Sequence, residues 1–231
     1  MPHINKKREN TRFEIIKLAS KLYICEGFKN TSFSKIAKIL DLSTGNITFY
    51  FPSKEHLLAV LVDELCEFQK LLMEQATNEG KKSLLAYCLE LTSMAAACEE
   101  DDAARDFFLT AYTSPMTFEL IRKNDTEKTK NVFGEFNPDW TDEQWMIMEN
   151  LVSGMEYSVL ATREKNTPLP VQIEKTLESI MILYNVPEEI RKTKIKKVFS
   201  MDYKAFGRRI LKEFKEYIEK IDERQEIQPY L

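Results

Sequence analysis

Apolar side chains recur at helical spacing along most of this 231-residue chain. Residues 12–26 show the pattern clearly, because their apolar positions fall on one face of a helix. Gly27 follows directly and predicts the end of that helix. Glycine and proline are scarce, with six and eight residues, so long stretches contain no helix breaker. The pattern predicts an all-α fold. The apolar positions of the first helix are Ile15, Ile16, Ala19, Leu22 and Tyr23.

Short elements follow this first helix. Residues 32–40 carry the apolar spacing of a second helix, and residues 41 and 42 predict a tight turn. A third, very short helix comes next and must end before Pro52, which cannot continue it. A fourth helix then runs to about residue 72. Two helices joined by a tight turn, here over residues 32–51, are typical of a helix-turn-helix motif, whose second helix enters the major groove of DNA.

The third helix, TGNITFY, is rich in hydroxyl, amide and aromatic side chains and has little that a core requires. We interpret it as surface that contacts base edges. The charge distribution favours the same reading: residues 1–56 hold ten Lys or Arg against five Asp or Glu, a net charge of +5. The rest of the chain carries −9, so a basic N-terminal part precedes an acidic body. This asymmetry is expected when only the N-terminal part meets phosphate.

Seven further helices are predicted in the acidic body. Their bounds are about 81–98, 102–113, 115–133, 141–164, 170–184, 187–199 and 202–222. No apolar run approaches the length that crosses a membrane, and no signal-peptide pattern opens the chain. We therefore expect a cytoplasmic protein without a membrane partner.

The sequence gives little support to an enzyme. It shows no nucleophile motif, no glycine-rich phosphate loop and no metal-ligand spacing, and it contains only two histidines. We therefore expect no catalytic residues, no metal site and no cofactor. The four cysteines form no CxxC pair and are interpreted as reduced thiols.

The stretch EGFKNTSFSKIAKILDLSTGNITFYFPSKEHLL resembles the N-terminal domain of the TetR family of transcriptional regulators. The resemblance covers residues 8–68 and implies that residues 69–231 form a larger helical domain for effector binding and dimerisation. Two positions depart from the family pattern: Asp41 stands where glycine is usual, and Thr48 stands where tyrosine is usual. The matching positions are Ile16, Ala19, Gly27, Phe28, Ile36, Ala37, Leu42, Ser43, Gly45, Ile47, Phe51, Ser53, Lys54 and Leu57.

The resemblance assigns DNA-contacting roles residue by residue. Asn46 is a candidate for the N6 and N7 edge of adenine, and Phe49 for a thymine methyl group. Lys6, Lys7 and Arg8 are candidates for a basic arm in the minor groove, or for a solvated tail. The base-contacting candidates are Ser34, Thr44, Gly45, Asn46 and Phe49, and the phosphate-contacting candidates are Ser32, Thr48, Tyr50 and Lys54.

The body is assigned only by analogy of position within the family. Apolar stripes on helices 141–164 and 170–184 are either a dimer interface or internal core. The residues of these stripes are Trp145, Met148, Leu151, Val152, Met155, Ile173, Leu177, Ile180 and Met181. A second set either lines an effector pocket or is ordinary core: Tyr87, Met94, Phe107, Phe108, Tyr112 and Phe118.

The resemblance and the residues together predict a sequence-specific DNA-binding regulator. We expect a homodimer on a near-palindromic double-stranded DNA operator, acting as a repressor that a small-molecule effector controls. A second hypothesis keeps DNA binding but replaces the small molecule with a protein partner or with no effector. Neither an enzyme nor a purely helical interaction module would explain the basic N-terminal part.

Overall fold

The computed structural model describes residues 2–80, 82–163 and 166–221, with side chains from residue 10 onward. Over these residues the chain forms eleven α-helices and no strand, so the predicted all-α fold is confirmed. None of the described helices has the length and apolar content needed to cross a membrane. The helices are α1 (Pro2–Glu26), α2 (Phe33–Ile39), α3 (Thr44–Tyr50), α4 (Lys54–Thr77), α5 (Leu84–Glu100), α6 (Asp102–Thr113), α7 (Pro115–Phe133), α8 (Asp142–Ala161), α9 (Leu169–Leu183), α10 (Glu188–Phe199) and α11 (Tyr203–Glu219), with a short 3-10 helix at Gly134–Phe136.

The predicted helices agree with the observed ones to within a few residues, except at the start of α1. This helix begins at Pro2 rather than near residue 12, because no breaker interrupts the chain before Gly27. Lys6, Lys7 and Arg8 therefore lie on helical backbone and not on an extended arm; their side chains lie outside the described part of the structure. Helix α4 runs without a break through the predicted domain boundary at residue 68.

The turn between α2 and α3 is set by a residue in the left-handed conformation. Asp41 has φ of +53°, and the N–H of Leu42 donates to the carbonyl of Ala37 at 2.9 Å. This six-to-one bond is the Schellman ending of a helix, which glycine usually provides. Asp tolerates the same backbone conformation at some cost in strain. The departure from the family pattern at Asp41 thus keeps the geometry of the turn.

Helix α5 forms the centre of the body, with 14 of its 17 residues buried. Helix α11 crosses it at Gly207, where a Cβ atom would lie 2.6 Å from the carbonyl oxygen of Ser93 and 3.1 Å from the amide nitrogen of Ala97. Both of those atoms belong to the backbone of α5. Gly207 therefore lets the two helices approach more closely than any other residue type would allow.

One carboxylate on α6 holds the loop that follows α1. Asp106 accepts a hydrogen bond from the backbone N–H of Lys29 at 3.0 Å, and its other oxygen lies 3.2 Å from the Lys29 ammonium. Gly27, with φ of +88°, brings the loop against this carboxylate. The first helices of the chain are thereby tied to α6, a helix of the body.

Candidate nucleic-acid interface and ligand cavity

Helix α3 exposes nearly all of its surface. Ile47 is its only buried residue and anchors it beneath α2, while Thr44, Gly45 and Asn46 are exposed. Phe49 is 67% exposed, an unusual position for an aromatic ring on a helix that has just two turns. The structure therefore places the predicted base-contacting residues of α3 on one accessible surface.

A capping box fixes the start of α3 and engages Asn46. The Ser43 hydroxyl accepts from the Asn46 backbone N–H at 3.1 Å. The Asn46 side-chain oxygen in turn accepts from the Ser43 N–H at 3.1 Å and from the Ser43 hydroxyl at 2.8 Å. Bidentate reading of the N6 and N7 edge of adenine requires the oxygen and the nitrogen of this amide together. Asn46 must therefore exchange its bonds to Ser43 before it can make that contact.

The other residues of α3 are held more loosely. The Thr48 hydroxyl donates to the carbonyl of Gly45 at 3.2 Å, a local bond that a phosphate oxygen can replace. The Tyr50 ring meets the Phe49 ring edge-on, with centroids 5.1 Å apart. Tyr50 is half-buried, so it fixes the orientation of the exposed Phe49 ring.

The remaining phosphate candidates frame α2 and α4. Ser32 caps α2 by accepting from the Lys35 N–H at 3.2 Å, and the base-contacting candidate Ser34 is exposed two residues later. The Lys54 ammonium donates to the carbonyl of Phe28 at 2.6 Å and lies 4.0 Å from the centre of its ring. Burial lowers the pKa of Lys54. Its ammonium is therefore partly committed inside the chain and has fewer donors left for phosphate.

A cavity of about 40 Å³ lies among α4, α5, α6, α7 and α8. Four of the six predicted effector residues line it: Tyr87, Met94, Phe108 and Tyr112. Phe107 and Phe118 do not. Phe107 packs in the core with its ring centroid 5.7 Å from that of Phe108, and Phe118 is partly buried with Arg122 above its ring.

Charged residues that the sequence analysis did not identify also line this cavity. The Glu156 carboxylate accepts from the hydroxyl of Tyr87 at 2.8 Å and from that of Tyr112 at 3.0 Å. The Lys128 ammonium lies 2.7 Å from an oxygen of Asp125, and Glu90 lies on its other side. Three carboxylates and one ammonium thus line one small cavity.

Burial dominates the electrostatics of this cavity. Loss of solvent, with the nearby Asp125 carboxylate, raises the pKa of Glu156 to about 7. Burial likewise raises the pKa of Glu90. Burial alone would lower the pKa of Lys128, but Asp125 and Glu90 outweigh it and hold the pKa well above its ordinary value. Lys128 is therefore charged, whereas Glu156 changes its charge near neutral pH.

The predicted dimer residues are mostly internal. Trp145, Val152, Ile173, Leu177, Ile180 and Met181 are buried within the chain, so they belong to the core and cannot supply contact area to a second copy. Met148 and Met155 are partly buried and pack on the same core. Leu151 alone is well exposed, at 54%. Of the two alternatives that the sequence left open, burial favours internal core for the six buried residues.

An outer face of α8 and α9 carries the exposed apolar side chains of this region. It is called here the α8–α9 face, and it consists of Met146, Ile147, Leu151 and Tyr157 on α8 with Val171 and Ile182 on α9. Gly154 is exposed on the same helix, and a Cβ atom there would meet nothing within 4 Å. Exposed apolar side chains gathered on neighbouring helices are typical of a protein contact.

The acidic run at residues 99–102 has structural roles. Asp101 caps α6 by accepting from the N–H groups of Ala103 at 2.7 Å and Ala104 at 3.1 Å. Asp102 pairs with Arg163 at 2.8 Å.

Comparisons with known proteins agree with the geometry of the first helices. Residues 15–61 match the family model described as bacterial regulatory proteins, tetR family. The probable HTH-type transcriptional regulator YttP of Bacillus subtilis (strain 168) is 35% identical over 83 residues. That match covers 36% of this chain and 40% of the relative, so the chain matches less than half of the relative's length.

Solved structures are similar over more of the chain, at low identity. A gamma-butyrolactone receptor (ArpA-like protein) is 19% identical, with 84% of this chain and 98% of that chain covered and a TM-score of 0.45. The TetR family protein CprB from S. coelicolor A3(2) is 23% identical, with 82% and 97% covered and a TM-score of 0.43. TM-scores below 0.5 do not support a family resemblance. The resemblance depends on the sequence matches and on the geometry of α1 to α4. Residues 15–61 of this chain are thus similar to the tetR family of bacterial regulatory proteins, and α2 and α3 form the helix-turn-helix within that stretch.

Proposed function

We propose that this protein is a sequence-specific DNA-binding transcriptional regulator that inserts α3 into the major groove. The observation that carries the proposal is the exposed surface of α3, where Phe49 projects into solvent beside Thr44, Gly45 and Asn46. An apolar ring in that position costs free energy in water and gains it against a thymine methyl group. Ser34 supplies a further base contact from α2.

Phosphate contacts orient α3 in this proposal. Ser32 and Thr48 are exposed hydroxyls on either side of the turn, and Tyr50 lies at the end of α3. Lys54 contributes less than a free lysine would, because the Phe28 carbonyl already takes one of its donors. The first backbone N–H groups of α2 and α4 also donate to phosphates of the same DNA strand. The N-terminus of each helix favours this contact because it carries a partial positive charge.

The test is fluorescence anisotropy with DNA from upstream of the protein's own gene, over a salt series and against a scrambled duplex. We expect tight binding to one site, with an affinity that falls steeply as salt rises. Phe49→Ala should weaken specific binding by about ten-fold, the effect of one lost base contact. Met116→Ala is the matched control, because Met116 is an exposed apolar residue on α7, in the body.

Binding no better than to the scrambled duplex, both upstream of the gene and in a genome-wide pull-down, would refute the DNA-binding role. An equal loss of affinity in the Phe49 and Met116 variants would mean that α3 is not the contact surface. A salt slope that remains steep in Phe49→Ala is expected, because this ring contributes no charge to phosphate binding.

We further infer that the protein acts as a homodimer through the α8–α9 face. A near-palindromic operator requires two copies of α3 related by two-fold symmetry, and an isologous contact buries the same patch on both chains. Leu151→Glu should convert the dimer to a monomer in size-exclusion chromatography with light scattering. Leu71→Glu is the matched control, since Leu71 on α4 is 48% exposed and lies outside this face. A wild-type monomer, or equal effects of both variants, would contradict the inference.

A small-molecule effector is favoured over a protein partner because the body contains a largely apolar cavity that a few charged side chains also line. Helix α6 connects that cavity to the DNA-binding end. Phe108 and Tyr112 line the cavity, and Asp106 on the same helix holds Lys29 in the loop after α1. A ligand that displaces α6 therefore changes the placement of α1 and α3, and with it the spacing of the two α3 helices. Release of DNA on ligand binding makes the protein a repressor.

A further inference from the structure

The cavity has an excess of buried negative charge. Glu90, Asp125 and Glu156 line it, and Lys128 is the one cation among its lining residues. Glu149 lies behind this lining, and carboxylate oxygens of Asp125, Glu149 and Glu156 come within 4.8 Å of one another. Carboxylates so close together in a protein interior repel one another and are costly unless a proton or a cation compensates them. The acidic cluster therefore has a deficit of positive charge.

A second, independent feature points into the same cavity. Gln69 on α4 is 3% exposed, lines the cavity, and has a side-chain nitrogen without a hydrogen-bond partner among the described residues. A buried donor left unpaired costs free energy that an acceptor on a ligand would recover. Gln69 therefore indicates where a ligand oxygen would sit, and the carboxylates indicate where its positive charge would sit.

The walls of the cavity suit an organic cation better than a bare metal ion. The rings of Tyr87, Phe108 and Tyr112, together with Met94, surround the carboxylates with aromatic and polarisable surface. Lys128 shows how an ammonium fits: it lies 2.7 Å from Asp125, 3.2 Å from Glu90 and 5.6 Å from the centre of the Tyr87 ring.

We propose that this cavity binds a small organic ammonium ligand that also carries an oxygen acceptor. The ammonium lies beside Glu156 and Asp125, the oxygen accepts from Gln69, and the apolar skeleton packs against the aromatic walls. That this ligand is the effector depends on the proposed function; its chemical class depends on the cavity alone.

The small volume of the cavity means that a ligand can enter only if the lining side chains move. About 40 Å³ holds only two or three water molecules, so ligand binding must displace side chains. A neighbouring groove of about 400 Å³ shares Cys66, Glu90, Asp125 and Lys128 with the cavity. These side chains form the wall between the two spaces. A ligand ammonium that replaces the Lys128 ammonium beside Asp125 would open this wall.

The probe is tyramine, which joins a primary ammonium to a phenol. Binding is measured by calorimetry and by the shift in Tm. The comparison compounds keep the skeleton: phenethylamine lacks the oxygen, para-ethylphenol lacks the ammonium, and phloretate replaces the ammonium with a carboxylate. We expect tyramine to bind more tightly than phenethylamine, and both to bind more tightly than the neutral and anionic compounds. The shorter 3-aminopropanol tests whether the closed cavity admits only a smaller amine.

Two variants locate the site. Glu156→Gln should weaken the binding of the amines by about ten-fold or more, because a buried charge pair is lost. Gln69→Leu should reduce the advantage of tyramine over phenethylamine and leave phenethylamine unaffected, so it remains informative if Glu156→Gln folds poorly. Glu100→Gln is the matched control, since Glu100 pairs with Arg208 outside the cavity.

The proposal is overturned if none of the three amines stabilises the protein, if para-ethylphenol binds as tightly as tyramine, or if Glu156→Gln binds the amines like the wild type. Stabilisation by Mn²⁺ without stabilisation by any amine would also overturn it and would reassign the carboxylates to a metal. DNA anisotropy is recorded in parallel. Amine binding in a protein that binds no specific DNA would refute the regulatory function and leave the ligand site standing.

Discussion

The close crossing of α5 and α11 makes a quantitative prediction for Gly207→Ala. The added methyl carbon would lie 2.6 Å from the Ser93 carbonyl oxygen, well inside van der Waals contact, and 3.1 Å from the Ala97 nitrogen. Because both neighbours are backbone atoms, whole helices must move to relieve the clash. Overpacking of this kind costs about 1–3 kcal/mol, and the better helix propensity of alanine returns at most about 1 kcal/mol. We expect a net loss of about 1–2 kcal/mol.

The matched control is Gly134→Ala. Gly134 has a φ of −60°, and a Cβ atom there would meet nothing within 4 Å. Without a clash, alanine should be neutral or should stabilise the protein by up to about 1 kcal/mol. Urea unfolding followed by circular dichroism gives both free energies, with the slope checked for equality between variants. Equal midpoints for the two variants would refute the argument that Gly207 sets the distance between α5 and α11.

Three further predictions concern the turn between α2 and α3, helix α3 itself and the cavity. Asp41→Gly should raise the free energy of unfolding by about 0.5–1 kcal/mol, because glycine takes a positive φ without strain; a lower Tm would contradict this. Ser43→Ala should cost about 1 kcal/mol and weaken specific DNA binding, because it removes the cap that holds the first turn of α3; an unchanged affinity would exclude the capping box from recognition. Burial and Asp125 raise the pKa of Glu156 from 4.5 to about 7, so the folded chain holds a proton in this window that the unfolded chain has released. Stability should therefore fall as pH rises from about 4.5 to about 7, by roughly 3 kcal/mol for this group. Glu156→Gln should flatten that part of the Tm profile, and a profile parallel to the wild type would count against the raised pKa.

Much of the fold could be predicted because helix ends are local. Gly27 ends α1 through its own backbone freedom, and Thr141 with Gln144 forms the capping box that begins α8. Both signals act over a few residues, so one sequence contains them in full. The exposed surface of α3 was predictable for a similar reason. A helix of two turns that carries so many polar and aromatic side chains cannot be buried in a core.

The cavity and the α8–α9 face were harder to predict, because they depend on which helices meet. Charged residues are usually exposed, so the sequence alone favours surface positions for Glu149 and Glu156. Their spacing nevertheless contained a signal. Trp145, Glu149, Val152, Glu156 and Val159 lie on one helical stripe, which makes the two carboxylates part of the inner face. A second apolar stripe on the same helix then had to face outward, and periodicity alone could not tell the two apart.

The capping box of α3 has a consequence for the tolerance of the protein to operator variation. A base-contacting amide that has no hydrogen-bond partner at a wrong base discriminates strongly against that base, because an unpaired buried polar group is costly. In the proposed role as a base reader, Asn46 has a resting partner in Ser43 and returns to it when the base does not fit. The difference in binding free energy between right and wrong bases at this position is then small, because the Asn46 amide has hydrogen-bond partners in both cases. Regulators built in this way accept a family of related operators, so one protein can control several genes whose sites differ at that base pair.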